Sequence, residues 1–225
     1  MTSSTSMRRR TRVASAFALT VGLAVAAAAP AWSSGAVRPA SAKPHGYSLT
    51  EMAAAVAPFT LSGNDPALYP DTPFQILHVD DIAAEIVDGG LVATATSSFT
   101  VRPGTPFYLP IFNSSDEAPV VGTFPTSPAQ ASAHLFDQAQ YGVNFEIVVD
   151  GSTTPIGPGY VAGPVAVDGG PVHIVTLGSF IGPLSVGSHT IVVRGGAYGA
   201  GVAETHAISF IELEFTYNIQ VLPGA

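Results

Sequence analysis

The sequence predicts an all-β fold, a two-sheet β-sandwich carrying one short inserted helix. Three observations carry that prediction. Beyond Phe59 the chain becomes a series of short apolar runs, one roughly every 8 to 15 residues, separated by Gly, Pro, Asn and Asp. Asp88-Gly89, Asp150-Gly151 and Asp168-Gly169 provide turn residues that tolerate positive φ between those runs. In the last run Ile211, Leu213, Phe215, Tyr217, Ile219 and Val221 alternate with Glu212, Glu214, Thr216, Asn218 and Gln220. A strand turns successive side chains to opposite faces, so one face of this run is buried and the other is polar.

The elements follow in order from the N-terminus. Arg8, Arg9, Arg10 and Arg12 precede an apolar run from Val13 to Ala29, which reads as a secretory signal over residues 1–31 ending at Ala29-Pro30-Ala31. Ala40-Ser41-Ala42 is an alternative exit. A retained anchor is the competing reading, but a run this rich in Ala, Gly, Ser and Thr is weakly hydrophobic for one. Residues 32–46, of Ser, Gly, Ala, Pro and Lys composition, read as a flexible linker before a single domain over 47–225. Ser48-Leu49-Thr50-Glu51 has capping-box spacing before Met52–Ala57, and Pro58 is expected to stop that helix. Strands are expected at 74–79, 91–101, 107–112, 120–124, 144–150, 172–177, 189–194 and 208–222. Ser127-Pro128-Ala129-Gln130 opens a helix expected over about 128–141, with Gly142 as its stop.

Pro183-Leu184-Ser185-Val186-Gly187-Ser188-His189-Thr190-Ile191-Val192-Val193 and Phe145-Glu146-Ile147-Val148-Val149-Asp150-Gly151 form a turn-plus-strand pattern. The pattern resembles that of exported bacterial immunoglobulin-like modules. The resemblance implies a Greek-key sandwich and says nothing about activity.

Charge narrows the function classes. All 16 acidic residues lie beyond position 50, whereas six of the eight basic residues precede position 45. A chain starting after Ala42 keeps Lys43, Arg102 and Arg194 against those 16 carboxylates, a net charge of −13. So few cations argue against nucleic acid as a partner. The absence of cysteine excludes disulfides, thiolate metal sites and a cysteine nucleophile. No later apolar stretch is long enough to span a bilayer, so the mature chain is expected to have no membrane span.

Candidate chemistry is sparse. There is no Gly-x-Ser-x-Gly elbow; Gly178-Ser179-Phe180-Ile181-Gly182 has its serine one place early. No phosphate loop or dinucleotide fingerprint occurs, and no cofactor is expected. Glu212 and Glu214 share one face of the last strand, about 7 Å apart, near the separations glycosidases use for paired carboxylates. They sit among Thr216, Asn218 and Gln220, as on a solvated face. His78 with Asp80 and Glu204 with His206 would supply four metal ligands if their segments were neighbours. His173 and His189 have no carboxylate at short spacing. Tyr69, Tyr108, Tyr141, Tyr160 and Tyr198 lie near Pro or Gly, as sugar-stacking or core-capping tyrosines do. The expectation is an exported, non-enzymatic binding or surface-interaction module whose partner is an extracellular polymer or protein. A carbohydrate-active hydrolase and a metal-binding module are the alternatives.

Overall fold

The computed structural model describes residues 35–224; the expected signal over residues 1–31 lies outside them. Helix α1 (Leu49–Leu61) is followed by β1 (Gln75–Ile76), β2 (Ala83–Val87), β3 (Gly90–Val101) and β4 (Phe107–Ser115). Then come α2 (Pro128–Phe136), β5 (Val143–Val149), β6 (Ser152–Ile156), β7 (Val161–Ala166) and β8 (His173–Ile181). The chain ends with β9 (Gly187–Ala197), α3 (Ala200–His206) and β10 (Ile211–Val221). The strands form two sheets, one of four strands ordered β1-β4-β8-β7 and one of six ordered β2-β3-β10-β9-β5-β6. The fold is therefore mostly β with two sheets, as the alternation and turn residues predict.

The sheets share a core because each turns one row of side chains inward. Leu109, Val175, Leu177 and Ile181 of the four-stranded sheet meet Phe145, Ile147, Ile191, Val193, Tyr217 and Ile219 of the six-stranded sheet. The other face of the four-stranded sheet is also covered. Met52, Ala53, Val56 and Phe59 of α1 pack with Ile76, Tyr108, Ala162, Ile174 and Phe180. Strand β8 is consequently buried from Ile174 to Ile181, and its serine, Ser179, is fully buried with its hydroxyl bonded to the Phe180 carbonyl.

The Ser48–Glu51 capping box forms as the sequence predicts: Ser48 Oγ accepts from Glu51 N–H, and the Glu51 carboxylate accepts from Ser48 N–H. The helix nevertheless continues through Pro58 to Leu61. Proline removes one ladder bond, and burial of Phe59 at 1% exposure on the sheet outweighs that loss.

Other expectations are corrected by tertiary contacts. Residues 35–46 are not a free linker: Arg38 N–H bonds to the Phe180 carbonyl, Gly182 N–H to the Ala36 carbonyl, and Val37 bridges Ile181. The inserted helix stops at Phe136 instead of continuing to 141. Asp137 leaves helical geometry, and its carboxylate and carbonyl hold a turn by accepting from Ala139 and Gln140 N–H. Residues 120–124 form no strand, and 74–79 retains only the short β1. Strands β2, β6 and β7 and helix α3 were not expected, being rich in small, polar or proline residues with little alternation.

Candidate functional site

The outer face of the six-stranded sheet carries an open hollow of about 480 Å³. Two rows of side chains cross it. In one, Glu146 of β5, Arg194 of β9, Glu214 of β10 and Thr94 of β3 stand in register. In the next, Asn144, Gly196, Glu212, Val92 and Glu85 follow the same order out to β2. Strand alternation puts both rows on one face, since each residue is two places from its neighbour in the other row.

Two glycines beside the hollow let the neighbouring backbone approach closely. A Cβ at Gly195, whose φ is +140°, would come within 2.0 Å of the Asn144 carbonyl oxygen. One at Gly196 would lie 2.1 Å from the Ile211 carbonyl oxygen and 3.0 Å from the Tyr198 ring. The Tyr198 ring, stacked on Phe210, lies over Gly196 and forms one wall of the hollow. Burial pushes the Tyr198 hydroxyl pKa up, and the nearby Glu212 charge adds to the shift.

Within this face Arg194 Nε donates to the Glu146 carboxylate. Glu212 and Glu214 are both exposed. The same face suits a ligand that brings positive charge or hydroxyl groups to the carboxylates.

The candidate metal ligands do not come together. His78 Nε2 lies 3.6 Å from Asp80 Oδ1, with its ring among Phe59, Tyr69 and Phe99. Phe99 pairs with Ile219, whereas Glu204 and His206 lie on α3, which leads into Ile211. The two pairs are thus at opposite ends of β10, about 27 Å apart along eight residues of strand. Among the described residues no group of three or more His, Cys, Asp or Glu is placed to hold a metal ion.

Sequence spacing missed a constellation that the fold assembles. His189 Nδ1 lies 2.6 Å from Asp150 Oδ2, and Asp150 Oδ1 accepts from Thr190 N–H at 2.9 Å. On its other edge His189 Nε2 lies 2.9 Å from the Ser185 carbonyl oxygen and 3.3 Å from Ser185 Oγ. Serine, histidine and aspartate therefore meet in the order of a hydrolytic triad, but the hydrogen bonding is that of a clasp. The Ser185 carbonyl and the Asp150 carboxylate can only accept, so the protonated ring donates one N–H to each and in that form has no lone pair for Ser185. The hydrogen bond to Asp150 raises the His189 pKa against the opposing effect of burial. Burial alone would raise Asp150, but bonds from His189 and Thr190 and the imidazolium charge leave it below the ordinary carboxylate range. The signal was present in Asp150-Gly151 and Gly187-Ser188-His189, but the 39-residue separation hid the pairing.

No family model matches the chain, and no curated protein matches it. A solved structure, that of PbICP-C in complex with falcipain-2, is similar over 65% of this chain and 98% of that chain, with 14% identity and a TM-score of 0.24. Likeness at that level carries no argument about fold or function.

Proposed function

We propose that this chain is an exported, non-enzymatic β-sandwich domain of the immunoglobulin-like, Greek-key kind, acting as a binding or surface-interaction module. Its contact surface is the hollow on the outer face of the six-stranded sheet, and its partner is a cationic or hydroxyl-rich extracellular polymer. The observation that carries this reading is the placement of Glu146, Glu212 and Glu214 across one open sheet face beside the Tyr198 ring. Carboxylates on an open face attract cations and accept hydrogen bonds, and an exposed aromatic ring adds a stacking surface. Export is supported by the basic start, the apolar run over Val13–Ala29 and the small residues at 29–31. The bonding of residues 35–38 along β8 favours cleavage after Ala31, since cleavage after Ala42 would remove that contact.

Binding to immobilised chitosan and to cellulose, with a panel of glycoside and ester substrates assayed in parallel, tests the reading. The expected result is retention on chitosan that weakens with salt, falls at least about tenfold in the Glu212→Gln/Glu214→Gln double variant, and is accompanied by no turnover. Turnover abolished by either glutamine substitution would overturn it in favour of a carbohydrate-active hydrolase. N-terminal sequencing of the secreted chain is expected to begin at Trp32; recovery of the full chain from membranes would remove export.

A further inference from the structure

Two sheets have four edge strands, and among the described residues three of them are blunted. β1 is two residues long, β6 contains Pro155, and β7 contains Pro164 and loses register between Ala162 and Val165. Short strands, prolines and irregular register are the usual means of keeping a sheet edge from recruiting another chain. β2, of sequence Ala-Ala-Glu-Ile-Val, has none of them and pairs regularly with β3 over all five residues.

All five residues of β2 are exposed; Ile86, at 63%, is the most exposed large apolar side chain among the described residues, and Ile82, just before the strand, is 52% exposed. The ladder orientation leaves backbone groups free as well. Asp88-Gly89, both with positive φ, close the hairpin between Val87 and Gly90. A two-residue turn makes its flanking residues a hydrogen-bonded pair, so Val87, Glu85 and Ala83 turn their N–H and C=O toward β3. Ala84 and Ile86 then turn theirs to the open side.

The side chains specify what fits there. Ile86 continues the row Ile211–Leu91 on the inner face, and Glu85 continues the row Glu212–Val92 on the outer face. Asp80, Asp81 and Asp88 flank the strand, and no Lys or Arg occurs between Lys43 and Arg102. A second copy adding itself at β2 would set these carboxylates against their own kind, which strand pairing disfavours.

We propose that β2 is a docking edge for an extended peptide segment of alternating basic and apolar residues, which adds a seventh strand to the six-stranded sheet. Its apolar side chains lie beside Ile86 and its Lys or Arg beside Glu85, with backbone bonds to Ala84 and Ile86. This deepens the binding-module reading and uses the strand edge, separate from the hollow.

Fluorescence anisotropy of a labelled, end-blocked (Lys-Val)₄ peptide tests the proposal. Saturable, salt-sensitive binding is expected, with at least about tenfold weaker binding when alternate peptide nitrogens are methylated. Ala84→Pro removes one outward N–H without touching the β3 ladder, and is expected to weaken binding to a similar extent. Glu85→Lys is expected to reverse the preference toward (Glu-Val)₄. The Glu212→Gln/Glu214→Gln variant is expected to keep peptide affinity within about threefold, so the edge and the hollow fail separately. Absence of binding, equal affinity for the methylated peptide, or loss in the glutamine variant with retention in Ala84→Pro would each overturn the docking edge. So would peptide binding displaced by self-association of the chain through β2 in sedimentation.

Discussion

The four-stranded sheet is covered on both faces, by α1 on one side and by the six-stranded sheet on the other. The six-stranded sheet is covered on its inner face, and its outer face carries Glu146, Arg194, Glu212 and Glu214 open to solvent. The difference is visible strand by strand. β8 is buried residue after residue, while β10 alternates Glu and Thr with Leu, Phe and Tyr. A sheet closed on both sides has nowhere to put a ligand without disturbing its core. One closed on a single side can carry polar chemistry at little cost to folding, so function is sought on the larger sheet and stability on the smaller one.

Substitutions on the two sheets should separate these roles. The largest effect is expected at Phe180, which is 1% exposed and lies with its ring 5.1 Å from Phe74 and 5.5 Å from Tyr108. Phe180→Ala is expected to cost about 3–5 kcal/mol in denaturant unfolding, and a loss below 1 kcal/mol would show that α1 does not seal this sheet.

A smaller effect is expected where the Asp150–His189 clasp ties the β5 exit to the start of β9. Asp150→Asn should cost about 1 kcal/mol near pH 5.5, because the carboxylate is partly exposed and screened. His189 has its pKa raised, so its contribution is complete below about 6.5, the ordinary histidine value, and fades as pH rises through the folded value. Asp150 has its pKa lowered, so its contribution is complete above the ordinary value of 3.8 and fades as pH falls through the folded one. The difference between wild type and variant should therefore be widest between about pH 4 and 6.5. A difference that grew steadily above pH 7 would contradict the clasp. The smallest effect belongs to the open face, where Glu212→Gln/Glu214→Gln should leave unfolding free energy within about 0.5 kcal/mol. A large loss would mean that this face is structural after all.

Legibility in the sequence followed the range of the interactions involved. The alternation in Ile211–Val221 announced a strand with one polar face because period-two patterning is written residue by residue. The Ser48 cap and the Ser127-Pro128 helix start were equally local, each a side chain bonding to a backbone three residues on. Where neighbours in space decided the outcome, local signals misled. Pro58 read as a stop and became interior helix because Phe59 packs on the sheet. Residues 35–38 read as a linker and became part of the β8 edge through backbone bonds that composition cannot register.

The same division holds for the candidate surface. Glu212 and Glu214 were found from spacing alone, since a strand places every second side chain on one face. Their companions Glu146, Arg194 and Glu85 were brought alongside by strand order, which no single segment specifies. By itself the sequence determined the acidic, cysteine-free composition, the mostly β character and the polar face of the last strand, all properties of local pattern. The tertiary structure alone decided which carboxylates share a face, which histidine meets which aspartate, and which sheet edge stays open. Those depend on pairing between residues tens of positions apart, and that pairing is fixed by burial of the common core.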